Sequence, residues 1–251
     1  MLKIHSIETM GALDGPGLRI IFFLQGCPLR CLYCHNPDTW QVDKGIFITD
    51  EDIVGKALRY KPYFKNNGGV TFSGGEPLLQ AKELVDILKT LKSHGLHTAI
   101  DTSGYFNVSD AVIIELLQYT DLVILDIKHE NAELYKKITG HSIDKYLHFK
   151  DILINKANCK IWLKHVVVPG LTDNPQHIKN MEKEVKTFPL ERVEKFELLP
   201  YHTLGQSKYE ALGIDYALSD TPEMQMDDID EIKKLINLDC LIEAIHNYFS
   251  N

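Results

Sequence analysis

Short apolar runs rich in β-branched and aromatic residues recur along the chain at Arg19 to Leu24, Gly69 to Phe72, His97 to Ile100, Asp121 to Leu125, Lys160 to Val168 and Val193 to Leu199. Their length and near-continuous hydrophobicity predict strands buried on both faces. Longer stretches of helical period lie between them. In Gln80 to His94, Leu84, Val85, Leu88, Leu91 and Lys92 follow one stripe and the reverse face is polar, as an amphipathic helix requires. Six β-then-α units imply a parallel sheet, and neither face of such a sheet can be left to water. The expected fold class is therefore α/β: a partial (β/α)6 barrel of the TIM type, open, with parallel strands and outer helices, in a single domain spanning 1–251. No linker, low-complexity segment or internal repeat interrupts it. The acidic stretch Met226 to Glu231 reads as a solvated helix start.

Composition narrows the classes of function. A chain of 251 residues can bury a substantial core without disulfides. A net charge of -8 argues against a broad nucleic-acid or anionic-membrane surface. No apolar stretch approaches a membrane span, and Met1 to Ser6 lacks the hydrophobic segment of a secretory signal, which predicts a cytoplasmic protein. Of the five cysteines, three are clustered, while Cys159 and Cys240 stand alone and read as ordinary buried or partly buried thiols. That is a poor disulfide framework.

Polar residues concentrate where the apolar runs end. Cys27 follows the first run, Ser73-Gly-Gly-Glu76 the second, Asp101-Thr-Ser-Gly104 the third, Asp126 and Lys128 the fourth, and Tyr201-His202 the sixth. The carboxyl ends of barrel strands open on one rim, so these groups are expected to share a cavity. Singly, each has a plainer reading: Asp101-Thr-Ser-Gly104 as a turn and helix cap, Asp126 with Lys128 as a strand-end ion pair, His202 as a cap on the last strand. Cys27, Cys31 and Cys34 offer a metal three thiolates and no fourth. The same spacings put residues on one face of a helix, although Pro28 and the preceding strand favour a loop. His35 can complete a Cys3His zinc set, but structural zinc sites commonly bring two separated ligand pairs and no second pair exists here.

Cys27-Pro-Leu-Arg-Cys31-Leu-Tyr-Cys34-His-Asn-Pro37 resembles the cluster loop of the radical S-adenosylmethionine superfamily. The resemblance implies one 4Fe-4S cluster held by the three cysteines, with the remaining iron chelated by the amino and carboxylate groups of S-adenosylmethionine. An electron from the reduced cluster then splits the sulfonium into methionine and a 5′-deoxyadenosyl radical. Tyr33 is expected to border the adenine through its backbone. Gly74-Gly75-Glu76-Pro77 resembles the glycine-rich motif of the same superfamily, in which glycines let backbone carbonyls approach the ammonium of the methionyl group.

A narrower resemblance, covering nearly the whole chain, is to the pyruvate formate-lyase branch of glycyl-radical-enzyme activases. It rests on segments such as Asp14-Gly-Pro-Gly-Leu-Arg19, Phe23-Leu-Gln-Gly26, Leu125-Asp-Ile-Lys128, Val166-Val-Val-Pro-Gly170, Glu197-Leu-Leu-Pro-Tyr-His202 and Lys208-Tyr-x-x-Leu212. What it implies is hydrogen abstraction from a glycine Cα of pyruvate formate-lyase, with flavodoxin or ferredoxin as electron donor. It assigns cofactor contacts to Tyr33, Cys34, His35, Gly74, Gly75, Asp126, Ile127, Lys128 and His202, with Lys128 on the carboxylate and His202 at the nucleoside end. Asp101, Thr102 and Asp126 match positions that hold a monovalent cation, and Asp14 and Lys164 match substrate contacts. Lys164 stands where related enzymes can carry arginine, and lysine cannot reproduce a two-pronged guanidinium contact. No cysteine lies between Cys34 and Gly74, whereas activases of other glycyl-radical enzymes often insert a ferredoxin-like segment there. The alternatives are a radical enzyme acting on another glycyl-radical enzyme or a small molecule, and a zinc-binding interaction module.

Overall fold

A computed structural model describes residues 1–236. Its strands are β1 (Leu2–Gly11), β2 (Arg19–Leu24), β3 (Ile46–Ile48), β4 (Gly69–Gly74), β5 (His97–Thr102), β6 (Leu122–Asp126), β7 (Lys160–Val167) and β8 (Val193–Pro200). The α-helices are α1 (Asp50–Tyr60), α2 (Ala81–Ser93), α3 (Asp110–Gln118), α4 (Ala132–Thr139), α5 (Asp144–Lys156), α6 (Pro175–Val185), α7 (Gln206–Leu212) and α8 (Met226–Lys233). The strands form one sheet in the order β3-β1-β2-β4-β5-β6-β7-β8, open rather than closed. The pairs β2–β4, β4–β5, β5–β6 and β7–β8 are parallel. This is the open, mostly parallel α/β architecture expected from the pattern, and the six apolar runs are β2 and β4 to β8.

Two strands go beyond that expectation. β1 pairs antiparallel with β2 and with the three-residue β3. In β1 only Leu2, Ile4 and Gly11 are buried; from His5 to Met10 no side chain is, so the stretch carries too few apolar residues to register as a buried run.

The chain forms two compact units. The first comprises Met1–Pro28, Thr39–Leu125 and Asp144–Lys160; the second comprises Leu29–Asp38, Asp126–Ile143 and the described residues from Ile161 on. In the first unit Ile20, Ile21, Phe22, Val70 and Phe72 are fully buried, with Phe22 and Phe72 stacked at 5.6 Å. α2 buries Leu84, Val85, Leu88 and Leu91 of the stripe read from the sequence, together with Ala81 and Ile87. Lys92 leaves it to bond Asp121 at 2.6 Å.

In the second unit Tyr33, Ile138, Val168 and Tyr201 form a buried cluster. Its helices start on side-chain caps: Asn131 accepts from Glu133 N and Leu134 N before α4, and Asn174 accepts from His177 N before α6, whose first residue is Pro175. α8 opens on a capping box between Gln225 and Asp228, as its acidic start suggested. Cys159 is buried, and Cys240 lies outside the described residues. Among the described residues no helix is long and apolar enough to cross a membrane.

Candidate active site

Within the first unit, Cys27 and the glycine-rich turn follow β2 and β4. Cys27 N donates to Trp40 O at 3.2 Å, and Gly26 N to Thr39 O at 2.7 Å, so this end of the cysteine loop is pinned by backbone. Gly75 N donates to Leu24 O at 2.9 Å and Glu76 N to Gly26 O at 2.8 Å. A Cβ at Gly75 would sit 2.2 Å from Gly26 O, so the approach of the two turns itself demands glycine. Gly74, the last residue of β4, pairs with Leu24.

Glu76 is the hub of this end of the unit. It is buried, and its carboxylate accepts from Thr102 Oγ1 (2.5 Å), Ser103 N (2.9 Å), Ser103 Oγ (2.5 Å) and Leu78 N (3.0 Å). Burial pushes its carboxyl above the usual range, against those donors. Thr102, one of the expected cation ligands, thus donates its hydroxyl hydrogen bond to Glu76 and accepts from Gly104 N at 2.9 Å. Asp101, another, accepts from Ser73 Oγ at 3.2 Å.

Asp14 enters β2 from the opposite end to Cys27, and its carbonyl, rather than its carboxylate, is what Thr71 Oγ1 holds, at 2.7 Å. Gly17 at φ 67° suits the third position of a type II turn after Pro16. Arg19, fully buried, secures the turn by donating to Thr71 Oγ1 (2.6 Å), Val70 O (2.8 Å) and Pro16 O (3.0 Å).

The second unit holds the rest of the cysteine loop. No helix forms between Cys27 and Cys34, which removes the helical-face reading of the spacing. Arg30 N and Leu32 N donate to Thr139 O and Ile138 O at the end of α4, and Cys34 N to Cys31 O. From α7, Tyr209 Oη donates to Cys34 O at 3.1 Å, while Lys208 Nζ donates to Asn36 Oδ1 at 2.8 Å and pairs with Asp38 at 3.2 Å. The motif Lys208-Tyr209 is therefore a brace for the cysteine loop, a role that its position far along the sequence did not disclose.

Around the loop, Lys128 bonds Asp126 at 2.8 Å and lies 5.5 Å from the Tyr33 ring centre. Burial opposes the Lys128 charge, but Asp126 beside it holds the ammonium well above its ordinary range. His35 stacks on His202 at 3.8 Å, and its Nε2 contacts His202 O at 3.2 Å. Burial and the neighbouring His202 bring His35 down to about 4, so its ring is neutral. Ile127 N donates to Lys164 O at 2.8 Å. The Lys164 ammonium itself lies 5.8 Å over the Trp162 ring, a ring that Lys195 also faces at 4.1 Å.

These residues suit an iron–sulfur cluster and its organic partner. Cys27, Cys31 and Cys34 are partly exposed and none is in a disulfide. Burial pushes the Cys31 thiol up to about 12, a penalty on the thiolate that a ligated metal offsets. Tyr33 Oη and His202 Nδ1 are buried without a hydrogen-bond partner, leaving polar atoms unsatisfied within the loop and beside His35.

Residues 13–146 match the family described as a 4Fe-4S single cluster domain. The fold is shared with a radical SAM methyltransferase from Sphaerobacter thermophilus, at 11% identity and a TM-score of 0.61 over 89% of this chain and 65% of that one. Fold, cysteine loop and family match define the class, a radical S-adenosylmethionine enzyme with a 4Fe-4S cluster and S-adenosylmethionine as cofactors. The chain is 49% identical to the pyruvate formate-lyase-activating enzyme of Clostridium pasteurianum over 94% of its length and 97% of that protein's. It is 41% identical to the pyruvate formate-lyase 1-activating enzyme of Escherichia coli (strain K12) over 93% and 94% of the two chains. The chain belongs to the pyruvate formate-lyase-activating enzyme family, and it is an oxidoreductase of the activase class.

Proposed function

We propose that the protein installs the glycyl radical of pyruvate formate-lyase by removing a hydrogen atom from one glycine Cα of that partner. The observation that carries this is the 49% identity to a named activating enzyme over nearly the full length of both chains. The cysteine-free interval between Cys34 and Gly74 supports the same branch.

Bound cluster and S-adenosylmethionine supply the one-electron chemistry; the chain's own residues bind and orient. In this reading Cys27, Cys31 and Cys34 ligate iron, braced by Trp40 O at one end and by Tyr209 and Lys208 at the other. Gly74 and Gly75 leave backbone carbonyls open to the cofactor's ammonium. Lys128 takes its carboxylate, with Asp126 keeping the lysine charged. Tyr33, His35, Ile127 and His202 border the nucleoside, and the unsatisfied His202 Nδ1 offers it a polar contact. Asp101, Thr102 and Asp126 hold a monovalent cation, for which hard oxygen donors are suited. Asp14 and Lys164 contact the substrate loop. The electron comes from flavodoxin or ferredoxin, and the work is done in the cytoplasm.

Anaerobic incubation of the reduced protein with S-adenosylmethionine and pyruvate formate-lyase tests the reading by electron paramagnetic resonance. A glycyl-radical doublet that needs all components is the expected result. Cofactor cleavage with no protein radical on the lyase would overturn it.

A further inference from the structure

Within the second unit, the loop after β6 and the first turn of α6 bring together three groups that the activase chemistry leaves unused: His129, Glu130 and His177. Their ligand atoms all lie within 4.8 Å of one another. Glu130 Oε2 is 2.9 Å from His129 Nδ1 and 2.8 Å from His177 Nδ1, and the two rings stack at 4.0 Å. Despite those distances neither contact has the alignment of an N–H···O bond, and Glu130 Oε2, His177 Nδ1 and His129 Nε2 are buried without hydrogen-bond partners.

The neighbours determine where the ring protons are. His165 Nδ1 faces Ile127 O at 2.7 Å, and a carbonyl only accepts, so Nδ1 carries the proton of the neutral His165 ring. Its Nε2 then presents a lone pair to His177 Nε2 at 3.0 Å, which must donate. A neutral His177 is thereby left with its Nδ1 lone pair turned toward Glu130. Asn131 N–H donates to His129 Nδ1 at 3.0 Å, which assigns a lone pair to that nitrogen as well. The His177 Nδ1 lone pair and the Glu130 Oε2 oxygen, both acceptors, thus meet at one buried point, and His129 Nδ1, whose lone pair takes the Asn131 N–H, lies 2.9 Å from the same oxygen. A histidine that passes its second N–H to another acceptor is the arrangement that orients metal-binding imidazoles. Asn180 Nδ2 fixes the other carboxylate oxygen at 3.0 Å, and Glu130, 19% exposed, gives the point access to solvent.

We propose that His129 Nδ1, Glu130 Oε2 and His177 Nδ1 form a binding site for a divalent transition metal ion of the zinc class, separate from the iron–sulfur cluster. Two imidazoles and a carboxylate are a donor set that zinc takes, with a fourth position left for water, whereas magnesium and calcium prefer oxygen alone. Bonds of about 2.0–2.2 Å at tetrahedral angles separate ligand atoms by about 3.4 Å, so Glu130 Oε2 needs to move only about half an ångström away from each of the two nitrogens. Binding asks one exchange, the release of the Asn131 N–H from His129 Nδ1. It would tie the loop that continues from Lys128 to the start of α6.

The competing occupant is a proton, giving a His177 imidazolium beside the Glu130 carboxylate, and the two differ in metal content. The cluster-loaded protein, dialysed anaerobically against buffered zinc, should hold one zinc per chain beyond its iron when both metals are measured by plasma mass spectrometry. Glu130→Gln, close in shape, and His177→Ala should lose that zinc while iron content and the far-ultraviolet circular dichroism are unchanged. His165→Phe, which removes the proton acceptor behind His177, should weaken zinc binding about tenfold to a hundredfold. No zinc beyond iron in the wild-type protein, or equal zinc in Glu130→Gln, overturns the proposal. Should His177→Ala fail to fold, Glu130→Gln decides.

Discussion

Glu76, in the first unit, and Glu130, in the second, each follow a parallel strand, β4 and β6 respectively, and their surroundings are opposite. Glu76 is ringed by donors: two hydroxyls and two backbone N–H groups reach its two oxygens. Glu130 has one amide donor on Oε1, and on Oε2 it meets only ring nitrogens without an aligned proton. A carboxylate saturated by donors from its own chain locks loops to one another and has little left for a ligand. One that faces further acceptors is a place where a cation lowers the energy. The same side chain thus serves as a fastener in one unit and as an open valence in the other.

The largest expected effect breaks that contrast directly. Glu76→Ala leaves four donors unmet in a buried site and should cost about 3 to 5 kcal/mol of stability, read as a lowered urea midpoint under anaerobic conditions. Glu130→Ala, in zinc-free buffer, should cost less, about 1 to 2 kcal/mol, since Asn180 is its one aligned donor and the two histidines are close partners without such alignment. Equal losses would show that the two carboxylates do the same job. Next in size, Gly75→Ala forces the two turns beside Glu76 apart and should lower stability by about 1 to 3 kcal/mol, together with weaker S-adenosylmethionine binding in calorimetry. A neutral substitution there would mean that the glycine answers only to the cofactor.

The smallest effect extends the comparison to a third carboxylate. Burial raises the Asp121 carboxyl, but Lys92 at 2.6 Å and Thr98 N at 2.9 Å bring it net below its ordinary value. A depressed folded value means that the contribution is present above the unfolded value of 3.8 and is lost as pH falls through the folded one. Because Asp121 and Lys92 are both partly exposed, Asp121→Asn should cost at most about 1 kcal/mol at neutral pH. The gap to wild type should begin to narrow as the urea titration is carried below about pH 4 and should close only below the folded value. A gap independent of pH would assign it to packing instead.

The parallel strands were legible because strands covered on both faces read as continuous apolar runs, and β2, β6 and β7 fall within a residue of their expected ends. β1 and β3 were not, since one is polar over most of its length and the other is three residues long. Among the chemical residues, Cys27, Cys31 and Cys34 stand close in sequence and announce themselves by spacing. Lys208 and Tyr209 brace that loop from more than 160 residues away, and nothing local to them signals it. The Glu130 cluster was invisible for the same reason: His177 lies 47 residues beyond Glu130.

By itself the sequence determined the class of fold, the cysteine loop and the glycines, because strand burial, ligand spacing and the lack of a Cβ are properties of neighbouring residues. Only the tertiary structure decided how those groups are held and which are left unsatisfied. Lys128 pairs with Asp126, Thr102 donates its hydroxyl hydrogen bond to Glu76, and His177 turns a lone pair on Glu130 beside the His129 nitrogen that accepts from Asn131. Hydrogen-bond saturation depends on which distant donors and acceptors the packed chain brings within 3 Å, and that distance is set by the fold.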